Sequence, residues 1–368
     1  MDESDRINEL LKKQNKQVDN LHDADFIVVT TCAVSKDSAN NSAGNILHLD
    51  KLSGHKPIYV GGCLPNAKER DLLYGKSNIK FFTADEIFSK IEGVSKVCNQ
   101  TTVRCDPFWL KDIDKKKQKL QILKTKSKRL AELYAFSTDG IIFSEMPFDF
   151  DTIRISKGCN KHCSYCAIPH NRGKYLEHGF KYIKKQIDSS RSKYLLLIGE
   201  NTGCHKNFEE IIEYAIMDNK RLMLRYLEPE YVNRIKDEFL KNLTYIGVPI
   251  QSASLKVLKD MRRPANLRLI KDKFKHWHKQ GIFLGTSIIL SYPTEKFMDY
   301  IKTLWFVLSV PVNYVSFQNF SPRENSPSFE RHKDYDTNTL KIKTKYWLFD
   351  IIVKIKLKMA YWKAALMG

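Results

Sequence analysis

The chain has 368 residues, with 61 lysines and arginines against 42 aspartates and glutamates, a formal charge of +19 and a pI near 9.4. That length can bury at least two cores, and a 42% hydrophobic fraction excludes a disordered or fibrous chain. The positive balance points to a polyanionic partner, with a merely lysine-rich composition as the plain alternative. Eight cysteines and no apolar leader point to a reducing compartment, the cytoplasm, rather than a secreted disulfide framework. No stretch reaches the roughly 20 apolar residues of a membrane span, because residues 346–367 are interrupted by Lys354, Lys356, Lys358 and Lys363.

Residues 1–97 alternate helix and strand. Residues 5–16 read as a helix, 25–31 as a buried strand, 35–49 as a helix and 57–61 as a second strand, the rhythm of a small doubly wound α/β domain. Cys32 and Cys63 each follow one of these strands, and both therefore fall at the C-terminal sheet edge where ligands of α/β sheets gather. Gly61 and Gly62 leave room there for close backbone approach.

Residues 98–150 break the pattern. They hold Cys98 and Cys105, which are given no role, and the strongly basic run DKKKQKLQILKTKSKRLAEL, which includes Lys115, Lys116 and Lys117. The run reads as a basic helix joining two domains, either a solvated face or a phosphate contact.

Residues 153–174 read IRISKGCNKHCSYCAIPHNRGK and place Cys159, Cys163 and Cys166 in a C-x3-C-x2-C array. Three thiols so close together imply metal. A closed tetrahedral zinc site needs four ligands and would have to recruit His162 or His170, whereas three thiolates suit a four-iron, four-sulfur cluster with one iron left open. The array follows a β run, over 152–156, the position of active-site loops in βα barrels. Five more apolar strands follow, over 194–198, 222–226, 243–250, 282–290 and 314–318, so 151–325 reads as an open partial (βα)6 barrel. A basic, apolar, aromatic helix closes the chain within 326–368.

The cysteine loop resembles that of the radical S-adenosylmethionine superfamily. TTCAVSKDSANNS and VGGCLPNAKERDL are similar to the N-terminal domain of the methylthiotransferases within it. The resemblance implies two 4Fe-4S clusters, one on Cys159, Cys163 and Cys166 and one on Cys32, Cys63 and a third cysteine that would precede Met1. It implies cleavage of S-adenosylmethionine to a 5'-deoxyadenosyl radical, followed by methylthiolation of an unactivated carbon. Gly199, Glu200, Arg225, Glu228, Gln251 and Ser252 match positions around the cofactor; Glu230, Arg262, Arg263, Arg172 and Gly173 match further family positions. The chain departs from the pattern at Gly247, Ala253, Ser287, Ser291, Tyr292 and Thr294, and it lacks the small RNA-binding β domain (TRAM) that usually closes the family. TCAV and SPRENSP look most like the branch that modifies N6-threonylcarbamoyladenosine in the tRNA anticodon loop. A flavodoxin or ferredoxin as electron donor and a monomeric enzyme are implied with it. The alternatives are a methylthiotransferase of another tRNA adenosine or of a ribosomal protein, and a catalytically degenerate iron–sulfur RNA-binding paralogue.

Overall fold

The computed structural model describes residues 21–31, 36–82 and 150–367, together with positions 7, 86 and 90. The helix expected over 5–16 lies, but for position 7, outside the described residues; so do Cys32, Cys98, Cys105, Lys115, Lys116 and Lys117. The chain divides into two compact units, one of residues 1–113 with 166–173 and 323–329, the other of residues 114–165, 174–322 and 330–368.

In the first unit, strands β1 (Ile27–Thr31), β2 (Ile58–Gly62) and β3 (Ile79–Phe81) form a parallel sheet in chain order. Helix α1 (Lys36–Leu52) carries Ala39, Ala43 and Ile46 on one face, and all three are buried in a core with Ile27, Ile58 and Val60. Gly62 has φ +85°, and a Cβ there would meet the Thr31 carbonyl oxygen at 2.3 Å. Glycine is therefore required by the close approach of the end of β2 to Thr31 on β1, a local reason that needs no ligand.

In the last turn of α1 the buried Asp50 accepts from Asn78 Nδ2 at 2.7 Å and meets His55 Nδ1 at 2.9 Å and Lys76 Nζ at 3.0 Å. Burial pushes this carboxyl up, but the donors outweigh it and hold it down at about 2. Residues 323–329 are anchored within the same unit by ion pairs from Arg323 to Glu69 (2.9 Å) and from Lys68 to Glu324 (2.8 Å).

The second unit holds six parallel strands, β4 (Phe150–Arg154), β7 (Tyr194–Ile198), β8 (Arg221–Leu224), β9 (Leu243–Gly247), β10 (Phe283–Leu290) and β11 (Tyr314–Asn319). They lie side by side in chain order with β4 and β11 at the edges, so among the described residues the sheet is open. Between β4 and β7 the two-residue strands β5 (Ser156–Lys157) and β6 (Leu176–Glu177) pair antiparallel. They were not foreseen, being too short to show a period.

Helices α2 (Phe180–Ser189), α3 (Phe208–Met217), α5 (Leu267–Lys279) and α6 (Phe297–Ser309) cover the sheet, with the short α4 (Leu255–Asp260) after β9. In α5, Ile270, Phe274 and Trp277 repeat at helical spacing and are fully buried, while Asn266 Oδ1 caps its first turn by accepting from Leu269 N at 3.0 Å. The closing helix α7 (Leu340–Met367) buries Phe349 and Val353 in the same core and points Lys356 Nζ at the carbonyls of Val307, in the last turn of α6, and Val310, just past it. Burial pushes the Lys356 amine down to about 8. No helix among the described residues is long and apolar enough to cross a membrane.

Candidate functional site

The β5–β6 pairing joins the chain on either side of the cysteine array, so residues 158–175 form an excursion pinched at its base. The excursion starts beyond β4, on the C-terminal side of the sheet where βα enzymes place their chemistry. A polar residue inside the array, Ser164, fixes it: its amide donates to the Met261 carbonyl at 2.9 Å, its hydroxyl to the Asp260 carbonyl at 2.8 Å, and it also meets Tyr292 Oη at 2.8 Å. Tyr292, which stands where the resembled family has a different turn, is fully buried and belongs to this anchor.

Each cysteine sulfur of the array faces an N–H. Lys161 N donates to Cys159 Sγ at 3.5 Å, Ile168 N to Cys166 Sγ at 3.4 Å, and Arg263 Nη1 to the buried Cys163 Sγ at 3.6 Å. Donors aimed at sulfur stabilise thiolate, the form that binds iron. In the metal-free chain burial pushes the Cys159 thiol up to about 11, the Lys161 amide pulling the other way and Glu228, Cys163 and Glu200 adding to the rise. A bound iron would take the thiolate, with the proton released to solvent. Among the described residues no three His, Cys, Asp or Glu side chains gather as a site for a single ion, and His162 and His170 are exposed. A cluster that takes one thiolate per iron fits the donor set.

Lys161, Cys163, Glu228, Glu230, Arg262 and Arg263 line a small cleft. Arg263 crosses its floor, with Nη2 on Glu228 Oε2 at 2.6 Å and on the Pro249 carbonyl at 2.6 Å. Burial works against its charge, yet Tyr165, Glu228 and Cys163 more than offset this and hold the guanidinium protonated. At the rim Lys161 is ion-paired with Glu230. Arg262 has φ +51° and is exposed, so a left-handed step in the chain sends one arginine outward and the next inward.

The other expected cofactor residues are drawn into partners of their own. Gly199 packs on Ser156, whose Oγ a Cβ would meet at 2.3 Å. Glu200 Oε1 receives Arg154 Nη1 at 3.3 Å. Arg225 lies over the Tyr226 ring at 4.8 Å, with Tyr245 and Tyr314 nearby. Gln251 has φ +67° and joins β10 through its backbone, donating to Ser287 O at 2.8 Å and accepting from Ile289 N at 2.9 Å. Ser252 Oγ meets Thr303 Oγ1 at 3.2 Å and accepts from Ser254 N at 3.1 Å, in a hydroxyl network under α6 that ends on Asp299.

Sequence reasoning missed Asn160, which lies between Cys159 and Lys161. Its amide accepts from Asn201 Nδ2 at 3.0 Å and donates to Cys204 Sγ at 3.1 Å, tying the loop to the segment after β7. In the first unit Cys63 follows β2, is buried, and donates its amide to Thr31 O at 3.1 Å; Thr31 Oγ1 in turn accepts from Leu64 N at 3.0 Å.

Comparison with known proteins completes the picture. Residues 153–307 match the radical SAM superfamily, and residues 1–84 match the family described as uncharacterized protein family UPF0004. The ribosomal protein uS12 methylthiotransferase RimO of Clostridium novyi is 28% identical over 356 residues, covering 90% of this chain and 75% of that protein. The RimO of Fervidobacterium nodosum is 23% identical over 368 residues, covering 94% and 77%. The chain is a transferase enzyme, similar over most of its length to radical S-adenosylmethionine methylthiotransferases. Among solved structures, the radical S-adenosylmethionine methyltransferase TsrM of Kitasatospora setae, with cobalamin and a [4Fe-4S] cluster bound, aligns with a TM-score of 0.54 at 10% identity over 90% of this chain and 69% of that one, a likeness of fold alone. The relatives named here carry the ribosomal-protein name, so the narrower resemblance to the tRNA branch finds no counterpart among them.

Proposed function

We propose that this chain transfers a methylthio group to N6-threonylcarbamoyladenosine beside the tRNA anticodon. The reaction type is supported by the C-x3-C-x2-C loop with an N–H on every sulfur, in a chain similar end to end to methylthiotransferases. The observation that carries the substrate is the charge of +19, because neutralising phosphates releases counterions and drives binding to RNA. A base in a single-stranded loop is open to stacking and edge contacts, which an anticodon loop provides.

Cys159, Cys163 and Cys166 would hold the barrel cluster; Cys32 and Cys63 would contribute to a second. When bound there, a cluster would supply reducing chemistry toward S-adenosylmethionine that no side chain offers. The chain's own residues hold the loop and shape the pocket. Ser164 and Tyr292 fix the array, Asn160 ties it to the β7 segment, and Lys161 with Glu230 forms the pocket rim. Gly199, Glu200, Arg225, Gln251 and Ser252 shape the surroundings from the ends of β7, β8 and β9. A flavodoxin or ferredoxin would deliver the electron in the cytoplasm.

A second reading, methylthiolation of ribosomal protein uS12, is favoured by the names of the relatives. The two are separated by expressing the chain in cells lacking the host enzymes and measuring both products by mass spectrometry. Methylthio-threonylcarbamoyladenosine in tRNA supports the first reading, and a methylthio mass shift on uS12 with unmodified tRNA replaces it with the second. Neither product from a chain that holds its clusters would favour a degenerate RNA-binding protein.

A further inference from the structure

We propose that Arg263, held in place by Glu228, sets the reduction potential of the cluster on the cysteine loop. The inference rests on the reading of that loop as a cluster site.

Arg263 is 6% exposed and lies 100 residues from Cys163 in sequence, yet its Nη1 reaches that sulfur at 3.6 Å. Two further donors to the sulfurs of the array, Lys161 N and Ile168 N, are backbone amides, which carry no net charge.

Reduction adds one negative charge to a cluster whose thiolates are already negative. A fixed cation with a hydrogen bond to one sulfur stabilises the reduced form and raises the potential. Burying a guanidinium is costly unless it is partnered, and the Glu228 carboxylate at 2.6 Å with the Pro249 carbonyl at 2.6 Å supplies the partners. Glu228 also opposes the cation electrostatically, so the pair is a setting with two adjustable sides. The other charges at this pocket are the rim pair Lys161–Glu230 and the outward Arg262.

A purely structural ion pair would respond alike to loss of either partner. A potential-setting pair responds with opposite signs. The experiment is an electron-paramagnetic-resonance redox titration of the full chain, anaerobically reconstituted in a Cys63→Ala background so that the barrel cluster alone reports. Arg263→Met should lower the reduced-to-oxidised ratio at fixed potential at least tenfold, about 59 mV for one electron. Glu228→Gln should raise the ratio, and Arg263→Lys should stay near wild type. Shifts of the same sign in Arg263→Met and Glu228→Gln, or no shift in either, would overturn the proposal. Should Arg263→Met fail to hold iron, Glu228→Gln decides alone: a more positive potential supports the proposal, an unchanged or more negative one refutes it. A wild-type chain that takes up no iron would defeat the cluster reading and this inference with it, whereas a loaded wild type with unmoved variants would defeat the inference only.

Discussion

The two cysteine-bearing regions are built on different principles. Cys63 is held by the backbone of its own sheet, through Thr31 on the neighbouring strand and the close approach of Gly62 to it. The barrel array is held by side chains from far along the chain: Tyr292, Arg263, and Asn201 acting through Asn160. A strand end needs only the sheet to define it. A loop of 18 residues, 158–175, has no ladder of its own, so its geometry depends on distant partners, each of which can be removed singly.

The largest effect that would break this contrast is loss of a ligand. Cys163→Ala should abolish iron at the barrel and with it all S-adenosylmethionine cleavage, whereas Cys63→Ala should leave cleavage intact; iron counting and 5'-deoxyadenosine detection check both. Equal loss of cleavage in the two variants would mean that the regions do not act separately.

Gly62→Ala should come next. It forces a residue with φ +85° into the Thr31 backbone, and unfolding of the first unit, followed by urea titration, should shift by roughly 2–3 kcal/mol. Ser164→Ala removes a buried hydroxyl and strands Tyr292 Oη, at a cost of roughly 1–3 kcal/mol, and should hasten iron loss from the barrel site under chelator challenge. A Ser164→Ala protein that keeps its iron as long as wild type would show that the loop needs no such anchor.

Much of this was legible in sequence because it is written in local pattern. The apolar runs over 194–198 and 314–318 became β7 and β11 nearly residue for residue. What sequence did not show is long-range. Arg263 was noted as half of a double arginine, but its meeting with Cys163 and Glu228 depends on how α4 ends. Tyr292 was seen only as a departure from a family turn, and its link to Ser164 spans 128 residues. Glu228 and Ser252 were assigned to the cofactor by position, and their side chains are engaged with Arg263 and Thr303. The pair β5–β6 is too short to carry a period.

The smallest expected effect is the acid sensitivity of the first unit. Asp50 has its carboxyl lowered from 3.8 to about 2, so its contribution is fully present above pH 3.8 and is lost as pH falls through about 2. That contribution is roughly 2 kcal/mol and should be absent in Asp50→Asn, whose stability should lose the pH dependence seen between these values.

The central claim is that the array at Cys159, Cys163 and Cys166 holds a four-iron cluster with one iron open. The most direct test is Mössbauer spectroscopy of the Cys63→Ala chain reconstituted anaerobically with iron-57 and sulfide, with and without S-adenosylmethionine. About four irons per chain, one of them changing its signal when S-adenosylmethionine is added, is the predicted result. Stoichiometric zinc without iron uptake, or four irons indifferent to S-adenosylmethionine, would contradict it.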